Sequence, residues 1–178
     1  MNKLVFVRII RKKLTMATKI GDIFSIPVKE EMIGFGQVLR KPRYRIYIVV
    51  FEELCHMGGI PKVEEIVKFA PLLLGVTLDG RLYNDIWKVV GNYKKNISGF
   101  PLPYYKLGTP PETYLVNHKG ERLRKAKPLE VEALSYETTL SPIYFDDALK
   151  AWHKILPWQE AFDEILYNEV VKKIAVVK

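Results

Sequence analysis

Cysteine and histidine are scarce in this chain of 178 residues, which contains one cysteine and three histidines. A single cysteine cannot form an intrachain disulfide, and neither residue type occurs in the paired spacing that is typical of a zinc site. Cys55 follows the largely apolar run 47–54, where a free thiol usually packs as a small hydrophobic group. The composition therefore predicts a protein without a disulfide, a metal or another cofactor, suited to the reducing cytoplasm.

Long hydrophobic runs are also missing. No apolar run approaches the roughly 20 residues that a membrane-spanning helix needs. The N-terminal stretch has some features of a signal peptide, but Arg8 interrupts its apolar part and no small-residue cleavage site follows. We therefore expect residues 1–15 to be a basic extension and not a targeting signal, and we expect no membrane partner.

The positive charge is unevenly distributed along the chain. The net charge of +8 comes from 28 basic and 20 acidic residues, and residues 1–15 carry five of the basic residues and no acid, which leaves +3 (8 − 5) for the rest. Met16 resembles a natural start, so residues 1–15 are either an upstream extension or a small extra strand. A basic cluster of this kind is usually a solvated tail, and contact with phosphate or a membrane surface is the alternative.

The first part of the body has the pattern of a β-meander. The stretches 20–28, 34–40 and 44–51 are rich in β-branched and aromatic residues and are separated by short polar turns. Gly34 and Gly36 are typical of a bent or bulged strand, and because a third glycine and a following helix are missing they do not form a dinucleotide-binding motif. This pattern predicts a strongly bent antiparallel sheet or a small SH3-like barrel.

Helical signals occur in two places. Pro61 precedes a short amphipathic segment over 62–70, which predicts a small inserted helix. Ser141 is a suitable N-cap for a helix that begins at the following proline, and Pro157 separates it from a second helix over 158–174. The C-terminal part is therefore expected to be helical.

Three further stretches, 72–78, 86–92 and 113–123, have the composition of strands or hairpins. Together these signals predict an α+β fold: a small bent sheet or SH3-like barrel with a short inserted helix and a C-terminal helical segment. We expect a β-rich domain over 16–140, with the helices of 141–178 packed on the same domain.

Groups for acid–base or nucleophilic catalysis are few. The imidazoles of His56, His118 and His153 lie beside the cysteine, at a hairpin tip and on an amphipathic helix, respectively. Cys55 and His56 are sequence neighbours, and neighbours on a strand point to opposite faces of the sheet. Acidic residues that are adjacent in the sequence also point in different directions on a strand or a helix, so they do not form a catalytic pair of carboxylates. We therefore predict that the protein is not an enzyme.

A cluster of positive charge lies in the turn between the second and third predicted strands. Four basic residues occur between positions 40 and 45, interleaved with tyrosines. Basic residues next to exposed aromatic rings are typical of nucleic-acid contacts. The same cluster fits an acidic protein partner or a simply solvated hairpin equally well, so the sequence leaves these three roles open.

The segments 19–28 and 34–39 read Lys-Ile-Gly-Asp-Ile-Phe-Ser-Ile-Pro-Val and Gly-Phe-Gly-Gln-Val-Leu. This pair resembles the opening signature of the immunity protein 26 family, in which Gly-Asp-apolar-Phe-x-Ile-Pro-Leu precedes an aromatic-Gly-(Arg or Gln)-Val strand. The resemblance continues in order through Trp87-x-x-x-Gly91 and Pro103-Tyr104-Tyr105 to about residue 155. It departs from the pattern at Val28, before Met16 and after Pro157.

The resemblance implies a bacterial immunity factor, encoded beside a secreted toxin gene of a polymorphic-toxin system, that neutralises its cognate toxin by binding and occluding it. Aromatic and arginine anchors dominate such interfaces, so we predict that the toxin contacts Arg43, Tyr44, Arg45, Tyr104 and Tyr105, and that Trp87 belongs to the core. The alternative function is a small β-barrel RNA-binding protein or a ribonuclease similar to the MazF type. The basic patch supports this alternative, and the missing base and nucleophile weaken its cleaving form.

Overall fold

The structure, a computed structural model, describes residues 18–42 and 45–177. The extension predicted for residues 1–15 therefore lies outside the described residues. The strands are β1 (Asp22–Lys29), β2 (Met32–Arg40), β3 (Arg45–Phe51), β4 (Cys55–His56), β5 (Pro71–Leu78), β6 (Lys88–Asn92), β7 (Tyr105–Leu107), β8 (Tyr114–Val116) and β9 (Arg122–Lys125). The α-helices are α1 (Val63–Ile66), α2 (Gly80–Tyr83), α3 (Pro128–Ala133), α4 (Pro142–Trp152) and α5 (Tyr167–Ala175), and 3₁₀ helices form at Met57–Gly59, Ile97–Gly99 and Glu160–Ile165.

The strands form two antiparallel sheets. The main sheet has the order β5-β3-β2-β1-β6, with β4 paired to β2 beside it, and β7-β8-β9 form the smaller sheet. The predicted α+β fold with an antiparallel sheet, an inserted helix and a helical C-terminal segment is confirmed. The main sheet is open, with β5 and β6 at its two ends, and does not close into the barrel that was the other predicted form.

Both faces of the main sheet are buried. Phe24, Ile48 and other residues of one face pack with α4 and Trp87, while Phe35, Val49 and their neighbours on the opposite face pack with residues of α1 and α5. A strand that is covered on both sides needs apolar residues at successive positions, not at alternate ones. This arrangement explains the continuous apolar run in β3, in which every residue from Ile46 to Phe51 is buried.

The two glycines of β2 make room for large side chains. A Cβ atom on Gly36 would lie 2.5 Å from Cζ of Phe24, and a Cβ on Gly34 would lie 2.6 Å from Cδ2 of Leu149 in α4. The register between β1 and β2 is regular across both glycines, so of the two predicted features, a bend or a bulge, the bulge does not form at these positions. The glycines instead allow close packing of a phenyl ring and of helix α4.

A buried polar contact joins α4 to the sheet region. Trp87 is fully buried, as predicted for a core residue, and its ring stacks on Phe24 with centroids 4.8 Å apart. Its indole Nε1 donates to Asp146 Oδ1 at 2.7 Å, and Arg81 Nη2 lies 2.7 Å from Asp146 Oδ2. Burial raises the pKa of Asp146, and the two donors oppose that shift. Asp146 therefore links α4 to Trp87 and Arg81 inside the protein.

The C-terminal helices differ from the prediction in one respect. Ser141 caps α4 as expected, since its Oγ accepts from the backbone N–H of Ile143 at 3.4 Å. The single helix predicted over 158–174 is wrong, because Leu166 is extended and forms a bridge with Leu73 of β5. Within the described residues, no helix is long and apolar enough to cross a membrane.

Candidate partner-binding cleft

A cleft of about 590 Å³ opens along the outer edge of β5. β5 is an end strand of the main sheet, and its outer edge is bridged at Leu73 by Leu166 and at Thr77 by Leu140. The floor of the cleft, Leu74 to Val76, lies between these two bridges. The Val76 carbonyl oxygen accepts from the N–H of Leu140 at 3.0 Å, and Leu74, Gly75 and Val76 are buried. The edge strand therefore forms a closed floor, and the accessible groups of the cleft belong to its walls.

The walls of the cleft come from segments that are distant in the sequence. One wall is the chain entering β7, and the others are the end of α3 with the segment that follows it, the last 3₁₀ helix, and α5. The lining outside β5 consists of Pro103, Tyr104, Tyr105, Lys106, Glu132, Ala133, Leu134, Ser135, Tyr136, Thr138, Leu140, Glu164, Ile165, Val170, Lys173 and Ile174. Aromatic rings and charged groups of both signs therefore face one concave surface.

A network of phenol groups lies at one end of the cleft. The hydroxyl of the fully buried Tyr47 is 3.1 Å from both of its acceptors, Glu137 Oε1 and the carbonyl oxygen of His118. Arg45 Nη1 lies 2.9 Å from the same carboxylate oxygen of Glu137, and the Tyr105 phenol is close enough to that of Tyr47 to perturb its pKa. The network therefore lies beside Tyr105 in the cleft wall.

Both phenols of the network are neutral hydrogen-bonding groups. Burial raises the pKa of Tyr105 to about 12 and raises the pKa of Tyr47 further still. The two hydroxyls therefore keep their protons at neutral pH and cannot serve as general bases. Tyr105, which lines the cleft, can therefore hydrogen-bond to a partner but cannot activate a nucleophile.

Two lysines extend into the cleft from different walls. Lys106 Nζ donates to the carbonyl oxygen of Val131 at 2.7 Å and lies 5.1 Å from the centre of the Tyr136 ring. Lys173 Nζ of α5 donates to Ser135 Oγ at 3.1 Å. Each ammonium has three N–H groups, so each retains donors for a bound carbonyl or carboxylate.

The structure brings together three of the five predicted contact residues. Tyr104 and Tyr105 line the cleft, and Arg45 reaches the same network through Glu137. Arg45 is held in an ion pair and is not the free anchor that the sequence suggested. Arg43 and Tyr44 lie outside the described residues. The predicted contacts with a partner remain a prediction for all five residues.

Sequence reasoning missed several lining residues. Lys106 directly follows the two predicted tyrosines in the sequence, so it could have been predicted as a further residue of the same site. Lys173 and Tyr136 line the cleft, and Glu137 belongs to the phenol network beside it; all three come from segments with no sequence feature that connects them to Tyr104. Only the packing of α5 and of the segment after α3 against β5 places them beside it.

The basic patch of the β2–β3 turn is partly neutralised. Lys41 Nζ lies 3.5 Å from Asp79 Oδ2 and donates to the carbonyl oxygen of Thr18, and Arg45 pairs with Glu137. Arg40 donates to the carbonyl oxygen of Leu39. These contacts reduce the charge that is free to contact phosphate.

The remaining reactive side chains do not form a catalytic arrangement. Cys55 is half-buried, and burial raises the pKa of its thiol, which disfavours the nucleophilic thiolate. His56 pairs with Glu31 on the exposed side of β4. Among residues 18–42 and 45–177, no group of three or more histidine, cysteine, aspartate or glutamate side chains is arranged to hold a metal ion.

The structure is thus an α+β fold whose open antiparallel sheet has a cleft of aromatic rings and hydrogen-bond donors at its edge. The sequence model of the immunity protein 26 family matches residues 19–109, just over half of the chain. The chain therefore belongs to the immunity protein 26 family, and the resemblance seen in the sequence is confirmed. No curated protein and no solved structure matches the chain.

Proposed function

We propose that this protein is a cytoplasmic immunity protein of a bacterial polymorphic-toxin system, which binds a cognate secreted toxin and neutralises it by occlusion. The observation that carries the proposal is the family match, which covers β1 to β7 and includes Tyr104 and Tyr105 of the cleft wall. The protein acts by binding and not by catalysis. The single cysteine, which excludes an intrachain disulfide, is consistent with the cytoplasm.

The cleft supports an occluding interaction through its mixture of groups. Tyr104, Tyr105 and Tyr136 offer ring surface with polar tips, the combination that is enriched at energetically important interface positions. The ammonium groups of Lys106 and Lys173 offer donors for the carbonyl oxygens or carboxylates of an inserted toxin segment. We propose that Tyr104 and Tyr105 contact the toxin directly, that Arg45 supports them through Glu137, and that Arg43 and Tyr44 contribute from the neighbouring turn.

The first experiment is co-expression with the C-terminal toxin domain encoded beside this gene. We expect rescue of growth and a complex that survives affinity purification and gel filtration. If growth is not rescued and the two chains do not co-purify, the proposal is wrong. Salt-sensitive retention on RNA without toxin binding would support the alternative nucleic-acid function, because phosphate contacts weaken steeply as salt increases.

The site is tested with Tyr104→Ala and Tyr105→Phe in the same complex. We expect Tyr104→Ala to weaken binding by roughly tenfold or more, the usual loss at an aromatic anchor. Tyr105→Phe keeps the ring and removes the hydroxyl, so it separates packing from hydrogen bonding. Tyr83→Ala is the matched control, because Tyr83 is 62% exposed on α2 and does not line the cleft. Equal affinities for Tyr104→Ala and Tyr83→Ala would exclude the cleft as the toxin site.

A further inference from the structure

Four large apolar side chains are exposed where α4 ends. They are Trp152 (41% exposed), Ile155 (38%), Leu156 (39%) and Trp158 (37%), here called the tryptophan face. The two indole rings contact each other edge to face, with centroids 6.0 Å apart. Single exposed apolar residues are ordinary, but a contiguous group containing two tryptophans is typical of a protein interface.

The tryptophan rings are held in fixed orientations by acidic side chains. Trp152 Nε1 donates to Glu52 Oε1 at 3.1 Å, and Trp158 Nε1 donates to Asp163 Oδ1 at 3.0 Å. Trp158 also packs edge to face on the buried Phe162. Rings that are already ordered lose little side-chain entropy when a partner covers them, which favours their use as anchors.

The backbone between the two tryptophans is also fixed. Lys154 adopts a left-handed conformation with φ of 60°. Its N–H donates to the Ala151 carbonyl oxygen at 3.0 Å, and the N–H of Ile155 donates to the Lys150 carbonyl oxygen at 2.9 Å. This is the hydrogen-bond pattern of a Schellman cap, in which glycine is the usual residue at the left-handed position. The cap turns the chain sharply and presents Ile155 and Leu156 beside Trp152.

The surroundings of the tryptophan face are acidic although the protein as a whole is basic. The segment 155–171 contains four carboxylates, at Glu160, Asp163, Glu164 and Glu169, and no lysine or arginine. Glu52 adds a carboxylate from the β3–β4 loop. Lys154 and Lys172 are the basic residues next to this segment, and Lys172 pairs with Glu169. Within the described residues, the carboxylates of Glu52, Glu160, Asp163 and Glu164 form no ion pair. A surface with this charge pattern is complementary to a basic protein surface and repels anionic lipids and nucleic acids.

We propose that the tryptophan face and its acidic rim bind a basic surface of the toxin. This inference rests on the proposed function and adds the location of the contact and the charge of the partner. The rim adjoins the cleft, because Glu164 lines the cleft and follows Asp163, which holds Trp158. A standard interface needs about 800 Å² on each partner, so a toxin that covers the tryptophan face can also reach the adjoining cleft.

The test measures the binding kinetics of the full chain with the co-purified toxin domain. Trp152→Ala and Ile155→Ser should each accelerate dissociation, with a loss of affinity of roughly tenfold for the tryptophan, because apolar anchors act mainly on the off-rate. Glu160→Lys should chiefly slow association, and this effect should diminish as salt increases, because rim charges steer the encounter. Ile155 is exposed, so Ile155→Ser remains informative if Trp152→Ala lowers the melting temperature.

Matched controls lie away from the tryptophan face. Glu64→Lys reverses an exposed carboxylate on α1, which packs on the sheet face opposite α4, and Leu129→Ser changes a leucine that is 63% exposed on α3. Both controls should bind like the unaltered chain. If the unaltered chain forms no complex, the proposed function itself fails. If the unaltered chain forms a complex and Trp152→Ala, Ile155→Ser and Glu160→Lys all bind like it, only the present inference is overturned. The same holds if the chain co-sediments with phosphatidylcholine–phosphatidylglycerol vesicles instead.

Discussion

Replacement of Asp146 by alanine should strongly destabilise the protein. The carboxylate accepts from the buried indole of Trp87 and pairs with Arg81, each at 2.7 Å. Alanine would leave the indole N–H without an acceptor and the guanidinium without its counter-charge. It would also remove the polar link between α4 and the segment that joins β5 to β6.

The expected cost follows from the burial of the three groups. Removal of one member of a buried ion pair costs about 3–5 kcal/mol, mostly because the other charge stays buried. The Arg81 side chain retains 21% exposure, so water offsets part of this cost. We therefore expect a loss near the lower end, about 3 kcal/mol, which for a chain of this size lowers Tm by roughly 6–12 °C.

Urea unfolding followed by far-UV circular dichroism measures this loss. Asp146→Asn keeps an acceptor for the indole but not the charge, so its stability should lie between those of Asp146→Ala and the unaltered protein. Asp147→Ala changes the neighbouring, half-buried aspartate and should cost less than about 1 kcal/mol. A cost below about 1 kcal/mol for Asp146→Ala would refute the reasoning, as would full additivity with Arg81→Ala, because paired groups must couple.

Three further predictions concern stability. Gly36→Ala should cost about 1–3 kcal/mol in urea unfolding, since its Cβ would lie 2.5 Å from Phe24, whereas Gly59→Ala, with open space around the added atom, should be almost neutral. The hydrogen bond from Arg124 lowers the pKa of Glu130 below its usual 4.5, so the ionised pair stabilises the fold at pH values above 4.5. Arg124→Ala should therefore reduce Tm at neutral pH. The Tm difference between the variant and the unaltered protein should disappear as the pH falls through the lowered pKa of Glu130. Deletion of residues 1–15 should leave the chain folded and soluble, and an insoluble product would show that those residues form a structural strand.

The strands of the main sheet were predictable from the sequence because a strand that is buried on both faces consists of consecutive apolar residues. The continuous apolar residues of β3 and the glycines of β2 indicated a bent, tightly packed sheet. Whether the sheet closes was not predictable, because closure depends on what covers the edge of β5. Leu140 and Leu166 cover that edge, and each is more than 60 residues further along the chain.

The cleft was only partly predictable for a related reason. Tyr104 and Tyr105 were recognisable as tyrosines in a proline-rich segment that could be fixed as an anchor. Glu137 and Lys173 have no local pattern that distinguishes them from other charged surface residues. Their roles arise from long-range packing, Glu137 beside Tyr47 of β3 and Lys173 on the wall opposite β7. A single sequence does not show which distant residues pack against each other.

The residues that line the cleft come partly from inside the family match and partly from the chain that follows it. The family match ends at residue 109 and contributes the β5 floor and the Tyr104–Lys106 wall. The other walls, from residues 132–140 and 164–174, and all of the tryptophan face lie beyond the match. If the shared part supplies the scaffold, recognition of one particular toxin must depend largely on the C-terminal part that is packed against it. Under the proposed function, substitutions of cleft-wall and tryptophan-face residues within 132–174 should therefore change which toxin is bound, whereas substitutions of buried core residues inside the match should chiefly change stability.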